Sequence, residues 1–223
     1  MISFDEKLRL LALLPEFQLL TTSDCAEEIR GRGAVEAKSC EEVLAAAALG
    51  LDRKEIFYTE VSNGVSCEIL DKCRIVARSM EDLIAINEAA ARAGKIVMAG
   101  LWIVAEGFQD STGRGLTLSQ LRGMVHDMKQ LKNVSVCGCI VVGDALGLHG
   151  KELGKYIRSS YQTAKGMTYI PPCTMPYIVV AGAMEAIAKN EAEHPEDFEE
   201  FLTAANIVGM QNTTAFYAGY YIQ

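Results

Sequence analysis

The sequence predicts a parallel α/β fold, a closed (β/α)₈ barrel of the TIM type, with residues 1–223 as a single domain. Three observations predict it. A strand–helix–strand unit runs from Cys73 to Gly107. The same pattern recurs until eight short strand-like runs are counted, each followed by helix or helix-like sequence, which is the barrel count; an open doubly wound sheet is the alternative. Finally, runs such as KIVMAGLWIVA are apolar throughout, as in parallel strands covered on both faces. With 223 residues, 50% of them hydrophobic, the chain can fill one large core.

Taken in order, Leu8, Leu10, Leu11 and Leu14 give residues 1–14 an amphipathic helix, stopped at Pro15. FQLLTT (17–22) is the first strand. Asp24 and Glu27 have capping-box spacing for a short helix that ends at Gly31–Gly33. Residues 34–38 form the second strand, and Ser39 with Glu42 starts a helix that ends on Gly50. EIFYTE (55–60) is the third strand, with a weak helix at 65–70. CRIVA (73–77) is the fourth. Ser79 and Asp82 cap the helix whose stripe is Leu83, Ile86, Ala90 and Ala93, and Gly94 stops it. The fifth strand leads into a polar, glycine-rich loop, 107–115. Thr117 and Gln120 cap a helix running to about 132, and VSVCGCIVV (134–142) is the sixth strand. A helix follows at 151–165, the seventh strand at 177–181, a helix at 183–193 and further turns at 197–203. ANIVGM (205–210) is the eighth strand. The aromatic tail AFYAGYYIQ is read as a strand or helix closing the barrel, or else as an oligomer contact.

Composition narrows the function. A net charge of −8, from 21 basic and 29 acidic residues, argues against a nucleic-acid partner, which needs a basic face. The N-terminus has no signal-peptide pattern, and no apolar run reaches membrane-span length. Seven cysteines, an odd number with several in buried strands, point to a reducing, cytoplasmic setting. Cys137 and Cys139 alternate along one strand and read better as core residues than as a metal pair. His126, His149 and His194 show no ligand spacing, so no metal site is expected.

In such a barrel, active groups gather at the C-terminal ends of the strands. Lys38 is the lysine at such an end, a candidate for Schiff-base chemistry if apolar walls lower its pKa, or else a solvated side chain. Glu60, Glu106 and Asp144 are candidates for acid–base work across the mouth, or else helix caps. Arg114, between Gly113 and Gly115, can fork onto a carboxylate or phosphate. Gly182, leading into a helix, and Gly209 with Asn212, Thr213 and Thr214 are candidates for a phosphate cradle at the last two strands.

These segments resemble a family. GAVEAKSCEEVLAAAALGLDRKEIFYTE, RIVARSMEDLIAINEAAARAGK, the Gly113-Arg114-Gly115 segment, VSVCGCIVVGD, PYIVVAGAMEAI and ANIVGM are similar to the pyridoxal-phosphate (PLP) barrels of the alanine racemase and diaminopimelate or ornithine decarboxylase group. The likeness spans nearly the whole chain as a pattern. It implies a PLP barrel, with phosphate held near the last strands and an imine-forming lysine at the end of strand one. Here that end reads Thr21, Thr22, Ser23 and Asp24, so Thr22 stands where the family has lysine. The family's histidine near the end of strand six falls at about Val142, and its arginine at strand eight falls at about Ile207, although Gly209 keeps the glycine. The resemblance also implies a C-terminal β-domain, for which no counterpart is expected here.

Three readings follow. The first is a diverged barrel without the lysine, a pseudoenzyme or partner subunit, with PLP non-covalently bound or absent and a phosphorylated small molecule as ligand. The second is an active PLP-dependent racemase or decarboxylase that uses Lys38. The third is a barrel enzyme acting on a phosphorylated substrate through Glu60, Glu106 or Asp144. In each reading a homo-oligomer or a partner subunit is expected, and neither nucleic acid nor membrane.

Overall fold

A computed structural model describes residues 3–12, 17–171 and 173–205, and the backbone of 215–219. Its strands are β1 (Phe17–Thr22), β2 (Gly33–Ala37), β3 (Ile56–Tyr58), β4 (Arg74–Ala77), β5 (Val97–Val104), β6 (Val134–Val142), β7 (Thr174–Val180) and β8 (Ala215–Gly219). All pair in parallel, each with the next in sequence. The architecture is parallel α/β of the TIM-barrel type. β1 to β7 curl round as one sheet, and the backbone of β8 pairs with β7 on one side and with β1 on the other.

The helices are α1 (Phe4–Ala12), which precedes β1, then α2 (Ala26–Ile29), α3 (Cys40–Ala48), α4 (Met80–Arg92), α5 (Leu118–Met128), α6 (Gly150–Met167), α7 (Ala183–Glu193) and α8 (Phe198–Ala205), while β3 joins β4 without an α-helix. Three starts are fixed as their sequences require. Ser39 accepts from Glu42 N and Ser79 from Asp82 N, while Thr117 and Gln120 form a complete capping box. Glu42 also ties α3 to the end of β1, because its Oε2 accepts from Ser23 Oγ at 2.8 Å and from Lys38 N at 3.0 Å. α6 and α8 pack so closely that a Cβ on Gly154 would lie 2.4 Å from Ala204 Cβ.

Alternate strand residues make two cores. Leu20, Ala34, Phe57, Val76, Trp102, Ile140, Tyr177 and Val179 fill the barrel, and their neighbours in sequence pack against the helices. Tyr177, 1% exposed, sets the lower layer. Its ring meets Phe57 edge-on at 5.0 Å and lies under Arg74 at 4.5 Å. Room for it comes from two glycines. A Cβ on Gly100 would fall 2.1 Å from the Tyr177 hydroxyl, and one on Gly138 2.4 Å from the ring. Gly138, at φ 71°, also carries the register shift between Cys137 and Cys139. That shift breaks the expected alternation. Cys139 joins the helix-facing core, while Cys137 lines a cleft with Arg74 and Tyr177.

Other expectations need correction. Ala205 closes α8, so it does not open a strand, and residues 206–210 of the expected eighth strand lie outside the described residues. The strand beside β1 is Ala215–Gly219, from the aromatic tail. No helix spans 65–70; a 3₁₀ turn at Val61–Asn63 and further turns occupy that connection. Asp24 and Glu27 form no capping box, because α2 starts after Cys25 without a side-chain cap. Among the described residues, no helix is long and apolar enough to cross a membrane.

Candidate functional site

The C-terminal ends of the strands bring together residues from β1 through β7. Register and parity set which side chains face inward. Thr22 pairs with Glu36 across β1 and β2, and both continue the inward positions of Leu20 and Ala34. Glu36, 1% exposed, accepts a hydrogen bond from Thr59 Oγ1 beyond β3. Arg78, two residues past Val76 on β4, holds Glu60 through both carboxylate oxygens, at 2.6 and 2.8 Å. The guanidinium also stands 5.0 Å over the ring of Trp102. Two donors in this cluster, Arg78 Nε and Trp102 Nε1, are buried without a hydrogen-bond partner, which is costly unless a ligand or water supplies an acceptor.

Beside Trp102 a narrow cleft of about 20 Å³ opens, lined by Asp110, Thr112, Arg114, Gly143, Asp144 and Gly182 among others. Its wall is the glycine-rich loop after β5. Asp110 Oδ2 accepts from the backbone of Arg114 and Gly115, each at 2.9 Å, and Asp144 Oδ1 accepts from Ser111 N and Oγ at 3.0 and 2.8 Å. Both carboxylates are thus spent on shaping the loop. Gly182, at φ 71°, is the N-cap of α7 and brings the start of that helix to the cleft. Gly143 must be a glycine because a Cβ would fall 2.8 Å from Tyr156.

The residues expected from sequence are distributed as follows. Arg114, Asp144 and Gly182 share the cleft. Glu60 lies in the neighbouring cluster, committed to Arg78. Glu106 is exposed, its backbone bonded to Thr163 and Ser159 of α6. Lys38 is half-buried just past β2; its backbone binds Glu42 and Asn63. Gly209, Asn212 and Thr213 lie outside the described residues. Sequence reasoning missed Glu36 and Trp102, and it placed Thr59 and Arg78 at strand ends without giving them a role. A charged residue inside a strand of small apolar ones, Glu36 in GAVEA, was the available signal.

No protein-family model and no curated protein matches the sequence. Solved structures do. PipY of Synechococcus elongatus, solved without PLP, is 15% identical at a TM-score of 0.58, covering 97% of this chain and 98% of its own. Diaminopimelate decarboxylase from Helicobacter pylori, complexed with L-lysine, is 12% identical at 0.64, covering 97% of this chain and 62% of its own. The Paramecium bursaria Chlorella virus arginine decarboxylase bound to agmatine is 13% identical at 0.66, with the same coverages. The chain has the fold of these proteins. It spans 54–62% of the length of the first structures it matches, the two decarboxylases among them.

Set against a PLP-binding barrel, the mouth fits the coenzyme only in part. The amide end of α7 at Gly182 and Arg114 line the same cleft, and these are the groups that would hold the coenzyme's phosphate. The inward position that ends β1 is Thr22, a hydroxyl that forms no imine with an aldehyde. The covalently held form of the coenzyme does not fit that position.

Proposed function

We propose that this chain is a diverged barrel of the PLP-binding kind. It lacks the imine-forming lysine and serves as a non-catalytic binding protein or partner subunit for a phosphorylated small molecule. We read the whole as one closed (β/α)₈ domain. The observation that carries the proposal is Thr22, inward-facing at the end of β1 and paired with Glu36. The ligand's anionic group is assigned to Gly182 and Arg114, and an acceptor group to the unpartnered donors of Trp102 and Arg78. Binding is non-covalent, and no bond-making step is drawn through the coenzyme.

Lys38 supports a second reading. It continues the inward parity of Ala34 and Glu36 and stands one strand over from Thr22, so an amine could reach the mouth from there. One experiment separates the two. The purified chain is mixed with PLP, its absorbance followed at the imine band, then reduced with borohydride and digested for peptide mapping. Saturable binding with no trapped label supports the first reading. Label on Lys38 replaces it with the second, and no binding of PLP or of other phosphorylated ligands ends both.

A further inference from the structure

Away from the mouth, three segments distant in sequence converge. His149 is the N-cap of α6, His194 follows α7, and Asp197 ends the 3₁₀ turn (Pro195–Asp197) before α8. His149 Nδ1 lies 2.8 Å from Asp197 Oδ2. The two imidazoles stack with centroids 4.2 Å apart and planes 20° from parallel. One ligand atom from each of the three residues lies within 4.8 Å of the others.

The backbone beneath them is fixed. Asn190, 1% exposed, accepts from Gly150 N at 2.7 Å through Oδ1 and donates to His194 O at 2.9 Å through Nδ2. One buried amide therefore clamps the two histidine-bearing segments together. Gly150 completes the approach. It sits at φ 47°, and a Cβ there would fall 3.1 Å from Asp197 Cβ and 3.3 Å from Glu200 Oε2. The carboxylate of Glu200 is thus beside the cluster as well.

We propose that His149, His194 and Asp197 bind one divalent transition-metal ion of the zinc class, with Glu200 or water completing the shell. Two imidazoles with a carboxylate favour zinc, cobalt, nickel or copper over magnesium or calcium, which prefer oxygen alone. Stacked rings do not aim their lone pairs at one point, so one ring turns about its Cβ–Cγ bond on binding. His149 is exposed and His194 half-buried, so the turn meets little packing. Once bound, the ion ties the start of α6 to the end of α7 and to the turn that leads into α8.

The test uses the full chain, stripped with a chelator and titrated with zinc by calorimetry and with cobalt by absorbance. One equivalent is expected to bind, with a rise in Tm that a chelator reverses. His149→Ala and His194→Ala should each weaken binding at least about tenfold, roughly the loss of one ligand. His126→Ala, on α5, should change nothing. Because the chain has seven free cysteines, cobalt also reports the ligand type. A sulfur-to-cobalt charge-transfer band would move the metal to cysteine and overturn the site. So would unchanged affinity in His194→Ala, or no binding by the parent chain.

Discussion

Arg78 grips Glu60 through two hydrogen bonds, 2.6 and 2.8 Å long, with the two side chains only 21% and 16% exposed. Removing the arginine leaves a carboxylate short of both partners and uncovers Trp102. Arg78→Ala should cost about 2–3 kcal/mol, below the ~3–5 kcal/mol of a fully buried pair because water still reaches this one. Arg78→Lys keeps the charge but loses the fork, and should lie between the parent and the alanine variant. Urea unfolding measures both.

The cysteines should make stability pH-dependent on the alkaline side. Burial pushes the Cys73 thiol up to about 12 and the Cys173 thiol up to about 11, and it raises Cys137 and Cys139 as well. The folded chain thus holds these protons more tightly than the unfolded chain, whose thiols titrate near ~8.5. Their contribution is complete below that value and is lost as pH climbs from ~9 toward 11–12. Unfolding free energy measured from pH 7 to 10.5 should be level and then fall, and Cys73→Ala should reduce the slope. At neutral pH a thiol reagent should label the exposed Cys67 before any of these four.

Each helix cap can be tested by itself. Thr117→Ala removes a complete capping box from α5, and Ser79→Ala removes the acceptor for Asp82 N on α4. Each should lower stability by about 1 kcal/mol. No change in Tm for either variant would contradict the bonds described.

Gly100 is a packing requirement with a specific partner. Gly100→Ala drives a methyl into the Tyr177 hydroxyl and should cost about 1–3 kcal/mol, as overpacking does. The next atom, Cζ, lies at 3.2 Å. In a Tyr177→Phe background, where the hydroxyl is gone, the same substitution should cost clearly less. A double-mutant cycle without coupling would refute the contact.

Much of the fold was legible because local rules agree with it. Residues 134–142 and 183–193 form β6 and α7 over the spans that their β-branched run and helical pattern indicate. The eighth strand was misplaced because ANIVGM and AFYAG are both short apolar runs, and only pairing with β1 and β7 distinguishes them. The Asp24–Glu27 spacing misled because Cys25 is the N-cap of α2, which leaves both residues one position out of the box's register. The site was harder to read. Thr22 and Gly182 are visible as strand-end residues and Arg114 as part of its glycine-rich loop, but the Glu36–Thr59 and Glu60–Arg78 partnerships cross between strands. His149 and His194 stand 45 positions apart, and the turn after α7 brings them together, not their spacing.

Tyr177, wedged between Gly100 and Gly138 with Arg74 against its ring, is the bottom layer of a filled interior whose upper layers include Trp102 and Val76. The cleft beside Trp102 and the one lined by Arg74, Cys137 and Tyr177 share no residue. Damage to the base should show as a lower melting point with recognition at the rim intact, so heat tolerance and ligand affinity can change independently.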